Sequence, residues 1–205
     1  MIFKEIHISD IPAPPSIESS TPSILAARKG DDVTLNCKGS GSPKPKVKWS
    51  RIGRDMPDGS SEIESEMVIF SDVTKHHAGI YKCSATNGFG KQASKKVEVV
   101  VEYSPEVEVS EVFVQTKSGE QAEIVCQVHA VPKPTITWTK DGQTVTASSR
   151  IKMDHSRHRH VLNIMGVQPT DFGKYSCQAA NKLGSQQKDA VLSGECISLF
   201  TRVAT

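Results

Sequence analysis

The chain predicts an all-β fold made of two antiparallel β-sandwiches in tandem, and two observations carry this expectation. A cysteine is followed twelve residues later by a tryptophan, and then by a tyrosine two residues before a second cysteine; this set occurs as Cys37, Trp49, Tyr81 and Cys83, and again as Cys126, Trp138, Tyr175 and Cys177. Two such sets in register, about ninety residues apart, amount to a repeat. In a β-sandwich these are the parts that meet in the middle: cysteines on facing sheets form a bridge, the indole packs against it, and the phenol ties a corner by bonding back to the backbone. The second observation is periodicity. Apolar residues alternate with polar ones in short runs bounded by turn residues, and no apolar set keeps a 3.6-residue period over three turns.

In the first domain, residues 33–37 alternate inward Val33, Leu35 and Cys37 with outward polar side chains. Residues 39–45 read as a turn-rich break, after which Val47 and Trp49 point inward and Lys46 and Lys48 face solvent. Val68, Phe70 and Val73 form the next apolar set, residues 79–83 carry the tyrosine and cysteine, and residues 96–101 form the last strand. The second domain repeats the order with residues 122–126, residues 135–138, a turn at residues 140–142, the set Leu162, Ile164 and Val167, residues 172–177, and a final strand over residues 185–192. Only 34 and 39 residues separate each tryptophan from its domain's second cysteine. That leaves little room for the two extra strands of a variable-type sandwich, so an intermediate (I-set) or constant-like (C2-like) strand set is expected. The expected organisation is an N-terminal segment over residues 1–11, domains over 12–102 and 103–194, and a C-terminal tail over 195–205. Only residues 102–105 are available as linker, and Pro105 stiffens it, so an extended and fairly rigid pair is expected.

A length of 205 residues fits two sandwiches of roughly 100 residues each. Cores of that size give slim stability, to which a disulfide adds about 2–4 kcal/mol. Four of the five cysteines fall in the repeat, and paired sandwich cysteines imply the secretory route or the cell exterior. Cys196, in the tail, has no partner in this scheme and is a free thiol, half of an intermolecular bridge, or a product of how the chain's end was drawn. The first residues, MIFKEIHISDIPAPP, lack the apolar stretch of a signal peptide, and no run of about 20 apolar residues exists to span a membrane. The chain is therefore expected to be part of a longer exported protein, and residues 11–15 read as a linker from an upstream domain.

A formal net charge of +2 is too near neutrality to argue for nucleic acid and leaves room only for local basic patches. Lys38, Lys44, Lys46, Lys48, Arg51 and Arg54 form one such stretch, expected to be a solvated sheet face, with a partner-binding face as the alternative. The histidine-rich run from Asp154 to His160 is the one place to ask about metal. His158 and His160 would share a strand face, yet zinc requires three or four converging ligands with outer support. The expectation is an exposed hairpin between Met153 and Val161, with no metal. Together with Arg150, Lys152, Arg157 and Arg159, the hairpin is a candidate contact for sulfated glycans or acidic lipid headgroups. No GxSxG elbow, phosphate-cradling glycine loop or HExxH helix occurs, so neither an enzyme nor a cofactor is expected. Asn36, Asn87, Asn163 and Asn181 all lack the hydroxyl residue that would complete a glycosylation sequon.

With these residues in hand, the chain resembles the immunoglobulin superfamily. GSPKPKVKW and AVPKPTITW look like the G-x-P-x-P-x-x-x-W run of intermediate-set adhesion domains, with Ala130 in place of the glycine in the second. HAGIYKCSATNGFG and DFGKYSCQAANKLG look like that set's sixth strand and following hairpin. The resemblance covers roughly residues 12–194 and extends to insect lachesin, klingon and amalgam and to the vertebrate neurotrimin-like adhesion proteins. It implies a cell-surface, neuronal adhesion or recognition protein that binds protein partners, like-to-like or otherwise. The pair would be the second and third of three domains, joined by YSPEV and projecting a further binding domain, and the family's anchoring segment is not matched by residues 195–205. A receptor ectodomain fragment and an intracellular muscle-type scaffold are the alternatives. In many such domains an arginine and an aspartate staple the bottom of the sandwich, and Arg150 and Asp171 occupy those places here. In the first domain His77 stands where Asp171 would and no arginine precedes Met67, so the first domain is expected to be the less stable.

Overall fold

The computed structural model describes residues 11–194. Cys196 and nearly all of the N-terminal segment lie outside the described residues. The chain divides into two compact units between Glu102 and Tyr103, each a β-sandwich of mainly antiparallel strands.

The first unit contains β1 (Ala13–Glu18), β2 (Ile24–Arg28), β3 (Val33–Asn36), β4 (Lys38–Ser42), β5 (Lys46–Arg51), β6 (Glu62–Glu64), β7 (Met67–Phe70), β8 (Gly79–Thr86) and the start of β9 (Ala93–Val109). One layer runs β2-β9-β8-β5-β6; the other pairs β1 with β4 and β3 with β7. Strands β3 and β4 flank Cys37, so residues 39–42, expected as a break, are strand; β1 supplies the ladder partner, with Ser16 opposite Ser40. The chain changes layers between β1 and β2, and Thr21 in that crossing, only 4% exposed, ties it to the end of β3: its Oγ1 accepts the Asn36 N–H at 2.7 Å. The core holds Val33, Leu35, Val47, Trp49, Val68, Phe70, Tyr81, Val97 and Val99 around a Cys37–Cys83 disulfide.

The second unit takes the end of β9 and adds β10 (Phe113–Gln115), β11 (Ala122–Val131), β12 (Thr135–Lys140), β13 (Gln143–Thr144), β14 (Ile151–Ser156), β15 (Arg159–Ile164), β16 (Gly173–Asn181) and β17 (Gly184–Ser193). Its layers are β10-β17-β16-β12-β13 and β9-β11-β15-β14. Trp138 and Tyr175 pack with Ile124, Leu162 and Ile164 around a Cys126–Cys177 disulfide. Residues 102–105, read as linker from the sequence, lie within β9 and carry backbone partners: Lys29 N–H donates to the Glu102 carbonyl, and Tyr103 pairs in register with Val131. The alternating pattern on both sides of Pro105 permits this, since proline at a point of register shift removes no needed donor. In both units one short strand, β6 or β13, sits outside the tryptophan strand, and the first strand of the five-stranded layer runs parallel to the last.

Each sandwich is closed by a tyrosine corner. Tyr81 Oη donates to the His77 carbonyl at 2.8 Å and Tyr175 Oη to the Asp171 carbonyl at 2.7 Å, each four residues upstream. Burial, with Asp171 and Asp141 adding to it, pushes the Tyr175 phenol up to about 12.

Candidate functional site

Both disulfides are buried, so they hold the sheets and leave the outer faces to meet partners. The chemistry available lies on those faces and at the ends of the sandwiches.

At the bottom of the second sandwich, Arg150 Nη1 lies 2.9 Å from Asp171 Oδ2 and Nη2 lies 3.4 Å from Oδ1. Asp171 also accepts the Gln168 N–H at 2.8 Å, and the Arg150 guanidinium holds its carboxyl below the usual carboxylate range. At the matching place in the first sandwich, His77 accepts the Thr74 N–H on Nδ1 at 3.0 Å, doing for that turn what the carboxylate does for the other. The cation there is Arg51, from the end of the tryptophan strand. It is 6% exposed, donates through Nη2 to the carbonyls of His76 (2.6 Å) and Ala78 (2.5 Å), and sits 5.4 Å from the Tyr81 ring centre. The sequence reading placed Arg51 on a solvated basic face. That is corrected: the short turn after β5 drops its side chain beneath the core, where unpaired carbonyls take the charge. Its Nε and Nη1 are buried without hydrogen-bond partners.

The remaining lysines of that basic stretch are largely compensated. Lys46 faces Glu64 (3.7 Å) and Lys48 faces Glu62 (2.5 Å) across β5 and β6, and Lys44, just before β5, faces Glu66, just after β6 (3.3 Å). The local sign of the face is therefore close to balanced, which a linear count of lysines does not reveal.

Two features stand out beyond these pairs on the outer five-stranded face. Ile24, Glu98, Ile80 and Ile52 form one row across β2, β9, β8 and the residue after β5; the isoleucines are 63%, 40% and 45% exposed in the order Ile24, Ile80, Ile52. In the next row Lys82 lies directly opposite Lys96. Like charges so placed repel, and neither is held in an ion pair among the described residues. A row of exposed isoleucines interrupted by Glu98, next to a lysine pair outside any ion pair, suits a partner surface that combines apolar groups with charges of both signs. The sequence reading marked none of these residues, because the row exists only once four strands are aligned.

Two asparagines were also passed over. Asn87 Nδ2 donates to the carbonyls of Ala13 and Pro43 (both 2.9 Å), and Asn181 Nδ2 donates to those of Tyr103 (3.0 Å) and Pro132 (3.1 Å). Each ties the last hairpin to a cis X-Pro loop. The available signal was their shared place, four residues after the second cysteine.

The histidine hairpin of β14 and β15 exists, but His160 is not on its exposed crown: it is 8% exposed, inward-facing in the row of Cys126. His158 stacks on His129 with ring centres 4.3 Å apart. Among the described residues, no group of three or more His, Cys, Asp or Glu side chains converges as a metal site. Two of the cations grouped there from the sequence are committed elsewhere, Arg150 to Asp171 and Arg159 to Glu123.

Comparisons with known proteins match the immunoglobulin I-set domain model at residues 105–193 and an immunoglobulin domain model at residues 14–87. Lachesin of Schistocerca americana is 30% identical over 87% of this chain and 53% of its own, and protein amalgam of Drosophila melanogaster is 31% identical over 85% and 54%. The limbic system-associated membrane protein of Rattus norvegicus is 30% identical over 89% of this chain and 53% of its own. The chain thus spans about half the length of these relatives. Among solved structures, a chain in the complex of Dpr2 Ig1-Ig2 with DIP-Theta Ig1-Ig3 superposes with a TM-score of 0.82 at 28% identity, covering 91% of this chain and 66% of that one.

Proposed function

Because the chain belongs to the immunoglobulin superfamily, we propose that it serves cell-surface adhesion or recognition, binding other proteins through its outer sheet faces without catalysis of its own. The observation that carries this reading is the likeness to lachesin, amalgam and the limbic system-associated membrane protein, which runs through both domains rather than one. Neural cell adhesion molecule 1 of Gallus gallus, 30% identical over 79% of this chain, supports the same reading. The residues assigned to contact are Ile24, Ile52 and Ile80 with Lys82 and Lys96. The four repeat cysteines, Trp49, Trp138, Tyr81, Tyr175 and the Arg150–Asp171 pair hold the scaffold that presents them.

The muscle-type alternative has a structural argument, since a titin fragment superposes with a TM-score of 0.69 at 25% identity. A buried disulfide in each domain weighs against it, because a reducing cytosol does not sustain such bridges. Among the described residues no helix is long and apolar enough to cross a membrane. Placement at the cell surface therefore rests on the relatives and on the bridges.

The test is a cell-aggregation assay with the complete protein, comparing expressing cells alone with expressing cells mixed with non-expressing ones. Aggregation of expressing cells alone supports like-to-like binding, and mixed aggregates support a different partner. The absence of both, with the protein displayed and folded, refutes the adhesive role.

A further inference from the structure

In the second domain, two adjoining clefts share Lys133, Pro134, His155 and His160 and open at the edge between β12 and β14. Arg157 and His158 complete the rim of one, while Ile136, Trp138 and Met153 line the depth of the other. A recess with cationic groups around an apolar floor matches a sugar ring bearing an anionic ester: the ring packs on the floor and the ester meets the donors.

We propose that this recess is a binding site for a sulfated polysaccharide chain, with Lys133 and Arg157 holding a sulfate ester and the imidazoles of His155, His158 and His160 completing its donors. The site goes beyond the protein-binding role assigned to the first domain's sheet face. Among the described residues neither Lys133 nor Arg157 is held in an ion pair. Both are exposed, so both charges are available. The imidazole rings of His155 and His160 lie 6.0 Å apart, close enough to bracket one ester group. A phospholipid headgroup offers similar oxygens, but a bilayer presents them in a plane, whereas this site is recessed and a linear chain can enter it.

Charge around the recess favours an anion that arrives with protons. Burial, then His155, Lys133 and His158, hold the His160 imidazole below its ordinary value. Two of the three nearby carboxylates are turned elsewhere or engaged. Asp154 faces the opposite side of β14 and accepts from Asn163 at 3.0 Å, and Glu123 binds Arg159, whereas Glu106, opposite His129 on β9, shares the face of the His129–His158 stack. A bound sulfate favours the protonated form of His160, which lies below its ordinary value, so binding strengthens as pH falls below about 6.5.

The full chain is passed over immobilised heparin at about 0.15 M salt, at about pH 7.4 and about pH 5.8, with desulfated heparin and phosphatidylserine vesicles in parallel. Binding to heparin, severalfold tighter at the lower pH, is expected. Lys133→Ala and Arg157→Asn each weaken it about tenfold, with calorimetry showing both domains still folded. His155→Gln combined with His158→Gln removes two of the site's donors and weakens binding at both pH values. The proposal is overturned if heparin is not bound, if desulfated heparin binds equally, if vesicles bind and heparin does not, or if the folded Lys133 and Arg157 variants bind as the wild type does.

Discussion

Arg51 offers the sharpest test of how the first sandwich is closed. Arg51→Ala removes two hydrogen bonds from a charged donor to the carbonyls of His76 and Ala78, each contributing about 1.5–3 kcal/mol. It also deletes a buried stem whose methylenes contribute about 0.8 kcal/mol each. Against these losses, the substitution removes Nε and Nη1, which are buried without partners and cost about 1–3 kcal/mol each. Taking the low end of each range, the net loss is about 3 kcal/mol. Arg51→Met keeps most of the stem and also removes the two unpartnered groups, so its loss is only about 1 kcal/mol. Calorimetry of the full chain, with the two domain transitions resolved, reads both. The first-domain midpoint falls by roughly 12–24 °C for the alanine variant and roughly 4–8 °C for the methionine variant, while the second-domain midpoint stays in place. An alanine variant within about 0.5 kcal/mol of wild type, the range of a solvated side chain, refutes the reasoning and returns Arg51 to the surface.

Asp171→Asn is expected to lower the second-domain midpoint and to change its acid response. The folded carboxyl lies below its unfolded value, so its contribution is present above about pH 4 and is lost as pH falls through the folded value, a slope the variant lacks in acid titrations followed by circular dichroism. His160 carries a second pH dependence: its folded value is depressed, so the domain is most stable above about pH 6.5 and loses stability as pH falls below it, and His160→Gln flattens that segment of a denaturant midpoint series. Asn181→Ala frees the Tyr103 and Pro132 carbonyls and costs the second domain about 1–3 kcal/mol in urea unfolding. In the same calorimetric trace the first domain of the wild type melts before the second, since its bottom closure relies on carbonyl acceptors for Arg51 where the second has a carboxylate for Arg150. Ile80→Arg, at an exposed position, leaves both midpoints within about 0.5 kcal/mol and abolishes any aggregation seen with the complete protein.

The sandwich architecture was legible because its signals are local or repeat along the chain. Alternation at period two says which side chains of residues 33–37 or 122–126 face inward, whatever lies opposite. The spacing of each cysteine, tryptophan and tyrosine set places covalent and aromatic groups at fixed points on such strands. Asp171, at the turn before Tyr175, could be read for the same reason. Arg51, the cation that stands in the first sandwich where Arg150 stands in the second, could not: arginine at the end of a lysine-rich strand looks solvated until the turn at residues 75–77 is folded over it.

What the chain alone determined, then, is the two-layer β stack, its duplication and the groups at the centre of each copy, because inward positions and turns are written in short windows of sequence. What only the tertiary structure decided is the character of the surfaces: which lysines are neutralised by β6, which isoleucines align across four strands, and that His160 turns inward to join Lys133 from a different loop. Those outcomes depend on strand register and on pairs far apart in the chain, and the same composition in another register would have carried a different face.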